Sequence, residues 1–180
     1  MEAVFRALSA DADMESLSLD SACIKVPSRF MKVPMEGEKT ADKAIGRTRG
    51  RLNKKLHATV DGLGNPVEFM LSAGNDHDSV HAVELLEKVE IRGSNVLGRA
   101  YGAKTIRAYI SEQGAHYVIP PQRNVSDPWP VDWWLYKERH LVECFFQKLK
   151  WFHRIATRYD KLDASFLAFV YLPSIAILLI

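Results

Sequence analysis

The stretch Tyr136 to Lys150, YKERHLVECFFQKLK, constrains the chain most. It predicts an amphipathic helix with two faces of opposite character. Tyr136, Arg139, Glu143 and Lys150 stand at offsets 0, 3, 7 and 14. At roughly 100° per residue they fall within an arc of about 60°. Leu135, Leu141, Val142, Phe145, Leu149 and Phe152 gather on the opposite side. One carboxylate thus shares a stripe with two cations and a phenol, backed by an apolar surface. On spacing alone the stripe reads as the solvated face of an amphipathic helix.

Elements before this helix alternate. Leu17 to Val26 reads as a strand containing Asp20. Pro27 to Gly46 has the composition of a loop. Lys54–Val60 and Val67–Leu71 read as strands joined by Asp61-Gly62 and Gly64-Asn65-Pro66, a hairpin. Ser79 to Val89 has helical periodicity, with Asp78 as N-cap. A short strand at Ser94–Leu97, a helix at Ala103–Gln113 and a strand at Ala115–Ile119 follow. The long helix is expected from about Trp133 to Thr157, and a last helix from near Asp163. Strands alternating with helices imply an α/β domain with parallel pairing.

At 180 residues the chain supports one domain with a proper core. Hydrophobic content of 47% with 26% charged residues argues against long disorder. Cys23 and Cys144 form no disulfide framework and no zinc spacing. His77 and His81, at i and i+4, lack a third ligand for zinc. There is no P-loop, no GxGxxG and no GxSxG. The N-terminus lacks the marks of a secretory signal. Phe166 to Ile180 is apolar but shorter than the ~20 residues of a membrane span, so it is expected to close the core. Net charge is only +2, yet Lys43, Arg47, Arg49, Arg51, Lys54 and Lys55 form one basic group. Lys148, Lys150, His153, Arg154, Arg158 and Lys161 form another. Two such surfaces suit a polyanion, although ordinary surface charge explains them equally simply.

The order Y-x2-R-x3-E-x6-K resembles the YREK signature of DDE-type insertion-sequence transposases. WWLYKERHLVECFFQKLKWFHRIATRYDKLDASFLAFVYL and IGRTRGRLNKKLHATVDGLGNPVEF are also similar to that family. The similarity covers most of the chain from about Met14 onward. It implies an RNase H-like mixed sheet with flanking helices, as a single domain over residues 1–180. Three carboxylates would there hold two Mg²⁺ or Mn²⁺ ions, which stabilise the attacking and leaving oxygens of an in-line displacement. Such ions call for hard oxygen ligands.

Carried over residue by residue, the first acid is Asp20 in LDSACIK, with Ala22 where the family has Thr. The third is Glu143, so Asp20 and Glu143 are the expected catalytic and metal ligands. In VLGRAYGAK, Gly98 stands at the position of the second acid. No Asp or Glu occurs between Ile91 and Ser111, and nothing in the sequence aims Asp61, Asp76 or Asp78 at the site. Weakened metal binding and lost or trace strand cleavage are expected. Tyr136, Arg139 and Lys150 would contact DNA. Arg47, Arg49, Lys54 and Lys55 would track its backbone, unless they only guard a hairpin edge. Trp129, Trp133, Trp134 and Trp151 either stack on bases or pack in the core. Only 19 residues precede Asp20, so the family's N-terminal DNA-binding region is expected to be absent. The expected partners are the DNA of insertion-sequence ends and a second copy or an intact transposase, with no membrane. The expected location is the bacterial cytoplasm, at the nucleoid. The rival reading is a non-catalytic DNA-binding or dimerising remnant.

Overall fold

The computed structural model describes residues 1–27, 46–48, 51–160 and 162–180, with backbone alone at 46–48, 51 and 52. Its centre is β1 (Ser16–Val26). Successive strand side chains point to opposite faces, and β1 buries both. Leu17 and Leu19 enter one core, while Ala22 and Ile24 enter the other. One edge of β1 pairs antiparallel with β3 (Arg51–Val60) along its length, from Ser18↔Val60 to Val26↔Leu52. Its other edge pairs parallel with β5 (Asn95–Leu97), and only at Ser16 to Ser18. β6 (His116–Val118) continues that parallel side. β2 (Gly46–Thr48) and β4 (Pro66–Ala73) share the far edge of β3. The described residues thus form a six-stranded mixed sheet. This is the expected α/β architecture, a mixed sheet with flanking helices.

The expected hairpin is β3–β4. The Asp61 carboxylate, almost fully buried, accepts from the backbone N–H of Leu63 at 3.0 Å and of Asn65 at 2.7 Å. Gly64 adopts φ 85°, a conformation that costs glycine nothing. Asp61 is therefore spent on the turn.

Helices cover both faces of the sheet. α1 (Glu2–Leu8), α5 (His140–Lys150) and α7 (Asp163–Leu178) pack Phe5, Val142, Phe145, Phe146, Leu149, Phe166, Val170 and Tyr171 onto Ile24, Leu56, Ala58 and Phe69. Ring centroids of Phe5, Phe69, Tyr171 and Phe145 lie 5.0–5.8 Å apart. Each such ring removed from water stabilises by about 1.5–3 kcal/mol. On the other face, α2 (Ala82–Leu86) and α3 (Lys104–Glu112) pack over Leu17, Leu19 and Val96.

Two expectations need correction. The helix expected over Ser79–Val89 is a 3₁₀ turn at Asp78–Val80 followed by the five-residue α2. Its N-cap is His77, whose ring accepts from Ser79 N–H. The Asp78 side chain is engaged elsewhere, by Ser21 and Lys55. The long helix from Trp133 is also interrupted. It starts as α4 (Trp133–Tyr136), capped by Asp132, whose Oδ1 accepts from Trp134 and Leu135 N–H at 2.9 and 3.0 Å. It continues through a 3₁₀ turn, Lys137–Arg139, into α5 and stops at Lys150. The short α6 (His153–Ala156) follows. The break lets the chain reach β1, where Thr157 bridges to Lys25 and Arg158 N–H donates to Lys25 C=O at 2.9 Å. Phe152, expected on the apolar side, is left exposed.

The buried Arg158 and Lys54 then meet the partly exposed Asp163, which ties the start of α7 to β3. α7 runs on through Pro173 and closes the core as expected. Among the described residues, no helix is long and apolar enough to cross a membrane.

Candidate nucleic-acid cleft

The site follows from the short pairing of β5. Beyond Ser18, β1 has no strand on its β5 side among the described residues, and Asp20 lies just past that point. α4, the 3₁₀ turn and α5 run past the same place. Between them opens a cleft of about 1090 Å³, lined by Asp20, Asp78, Arg99, Tyr136, Arg139 and Glu143 among others.

Arg139 joins the expected acids. Its Nη1 donates to Asp20 Oδ2 at 2.9 Å, and its Nη2 donates to Glu143 Oε1. The helical turn puts Glu143 four residues ahead, on the same face. Burial works against the Arg139 charge, but Asp20, with Tyr136 and Glu143, outweighs it and raises the guanidinium's pKa. The Tyr136 ring lies 6.0 Å from the guanidinium carbon.

Asp78 is the acid that sequence reasoning missed. The N-cap reading hid it, because Asp before a helix is ordinarily explained that way. Its carboxylate accepts from Ser21 Oγ at 2.8 Å and pairs with Lys55 Nζ at 2.7 Å. Burial would raise its pKa, but Lys55 and Ser21 more than offset this and hold it below the usual value.

Gly98 follows β5 directly, where the second acid was expected. A Cβ built there would meet Tyr101 Cδ2 at 2.5 Å. Tyr101 is buried, and its hydroxyl has no hydrogen-bond partner among the described residues. Burial, reinforced by Asp78 and Asp20, raises the pKa of that phenol.

The other expected contacts divide. Tyr136 and Arg139 line the cleft, but Lys150 does not. Lys150 is exposed at a separate hollow of about 260 Å³, beside Lys25 and Cys23. Lys54 is wholly buried and paired with Asp163, so its ammonium is not at the surface expected for a backbone contact. Lys55, next along the strand, points the other way, to Asp78. Arg47 has only its backbone described, and Arg49 lies outside the described residues, as does Lys43. Trp133 lines the cleft and is exposed, as are Trp134 and Trp151. Trp129 is packed, with Nε1 donating to Ile119 C=O at 2.7 Å and Arg107 stacked at 3.5 Å. Arg99, Arg123, Lys137 and His140 add cations and a titratable ring that the sequence did not single out.

Three carboxylates line the cleft, but each is already paired with or bridged by a cation. Among the described residues, no cluster of three or more His, Cys, Asp and Glu side chains is disposed to hold a metal ion. Position 98 carries no acid.

Comparison with known proteins identifies the lineage. The family described as "Transposase DDE domain" matches residues 11–128. A Brucella ovis protein named "Putative transposase for insertion sequence element IS6501" is 40% identical over 124 residues, covering 67% of this chain and 94% of that protein. A solved structure, "Mos1 transposase paired-end complex with left transposon end", aligns with 98% of this chain and 56% of its own, at TM-score 0.38 and 13% identity. That last likeness is too distant to carry an argument. The family match and the Brucella relative suffice: this chain belongs to the transposase DDE domain family.

Proposed function

We propose that this protein belongs to the machinery of DNA transposition, binds the DNA of insertion-sequence ends in the cleft, and has lost strand cleavage or keeps only a trace. The observation that carries the reading is Gly98. Where the family's chemistry needs a carboxylate, there is none, and the Tyr101 ring stands against the position. Arg139 joins Asp20 and Glu143, and Lys55 pairs with Asp78, so the three carboxylates leave too little net negative charge to hold two divalent ions against their mutual repulsion. The exposed cations Arg99, Arg123 and Lys137 at the cleft are disposed to meet phosphates, and Trp133 a base. Two cores on the faces of one sheet support a single DDE domain over residues 1–180. Its place of action would be the bacterial nucleoid.

Nicking and strand transfer on insertion-sequence-end DNA with Mn²⁺ test the reading. The expected result is no cleavage beyond a trace. Cleavage as robust as that of a Gly98→Asp version refutes the impairment. DNA binding should weaken steeply with salt. Three phosphate contacts from Arg99, Arg123 and Lys137 give a log–log slope of about −3. The second reading is a non-catalytic product that binds DNA or dimerises with an intact relative. The engagement of both Asp20 and Glu143 by Arg139 favours it.

A further inference from the structure

Every acid of the cleft has a cation supplied by the chain itself. Asp78 takes Lys55. Asp20 and Glu143 take the two arms of one guanidinium. The Arg139 side chain is only 12% exposed, against 29% for Asp20 and 51% for Glu143, so the guanidinium sits deeper than the carboxylates it joins. Its planar fork presents fixed N–H donors, and each arm meets a different carboxylate. A cation that spans two carboxylates from different elements has the electrostatic role of a bridging metal ion, with one charge in place of two. The outer lining is basic, with Arg99, Arg123 and Lys137 exposed.

We propose that Arg139 stands in for the divalent cation in this chain, so that the cleft holds a DNA phosphate backbone without any metal ion. This rests on the reading of the cleft as a DNA site. A divalent ion that takes both Asp20 Oδ2 and Glu143 Oε1 must displace the guanidinium. Its apparent affinity then falls by the fraction of molecules in which Arg139 has swung away. Removing Arg139 leaves two facing carboxylates with no counter-ion, which is a better cation site than the native cleft.

Two measurements on the full chain test this. The first is DNA binding by fluorescence anisotropy in EDTA and in Mn²⁺. Affinity should agree within about twofold, since no ion takes part. Binding that appears only with Mn²⁺ overturns the proposal. The second is Mn²⁺ binding, read from the free-ion electron paramagnetic resonance signal. Arg139→Gln should bind Mn²⁺ at least about tenfold more tightly than the native chain, and adding Asp20→Asn should abolish the gain. Equal affinity in Arg139→Gln and the native chain overturns the proposal, as does a gain that survives Asp20→Asn. If the native chain binds no DNA in either buffer, the DNA reading fails, and the Mn²⁺ comparison still judges Arg139. The anisotropy comparison uses the unaltered protein, so it stands even if Arg139→Gln does not fold.

Discussion

Gly98→Ala isolates the steric part of the site from its chemistry. The added methyl would lie 2.5 Å from Tyr101 Cδ2, 3.3 Å from Cε2 and 3.4 Å from Cγ. Carbon atoms pack at about 3.5–4.0 Å, so the ring must retreat by roughly 1 Å. It has little room to do so, being 1% exposed within the core that contains Leu17, Leu19, Ile106 and Ile119. Overpacking of this kind costs about 1–3 kcal/mol. Gly98 is not among the positive-φ glycines, so alanine meets no backbone penalty and regains about 0.4–1 kcal/mol from the unfolded state. The net expectation is a loss of about 1–2 kcal/mol. At about 2–4 °C per kcal/mol for a chain of this size, the thermal midpoint followed by circular dichroism should fall by about 2–8 °C. In a Tyr101→Val background the same change should cost nothing further, because the obstructing ring is gone. A Gly98→Ala protein as stable as the native one refutes the reasoning, and so does an undiminished penalty in the Tyr101→Val background. Gly98→Asp carries the same Cβ, so restored cleavage must be judged on protein whose folding has been checked.

Tyr101→Phe removes a buried hydroxyl that has no partner among the described residues. Its stability should be unchanged or raised by up to about 1 kcal/mol in a denaturant melt. Asp163→Ala removes a carboxylate that the buried Lys54 and Arg158 share, and should cost about 1.5–3 kcal/mol in the same assay. His57 is buried against Ser72, and its pKa is pushed down to about 4, chiefly by burial. The unfolded chain therefore binds a proton that the folded chain refuses, and stability should fall as pH drops from about 6.5 to 4. His57→Gln should flatten that slope in urea titrations repeated across this range.

Much of the fold is legible because burial imposes period two on strands. β1 shows this at Leu17 and Leu19 against Ala22 and Ile24, and the Asp61 turn marks the hairpin. The same period defeats a reading of charge runs. Lys54 and Lys55 look like one basic pair, yet they leave opposite faces of β3, one to Asp163 and the other to Asp78. The break after Lys150 was hidden for another reason. Trp151 to Thr157 has acceptable helical composition, and only the pairing of Thr157 and Arg158 with Lys25 draws the chain away.

The site itself divides by sequence distance. Local spacing gives Tyr136, Arg139 and Glu143 on one face, since neighbouring turns fix their relation. It also overreaches. Lys150 shares the stripe by angle but lies about 10.5 Å further along the axis, beside a different hollow. What the stripe cannot show is its partner 119 residues away. Arg139 reads from sequence as a phosphate ligand, whereas its two arms are engaged by Asp20 and Glu143. A guanidinium committed to two carboxylates has little left to offer a phosphate, which leaves Arg99, Arg123 and Lys137 as the exposed cations of the cleft. In this cleft Arg139 of the signature is engaged by Asp20 and Glu143, and residues outside the signature supply the exposed basic surface.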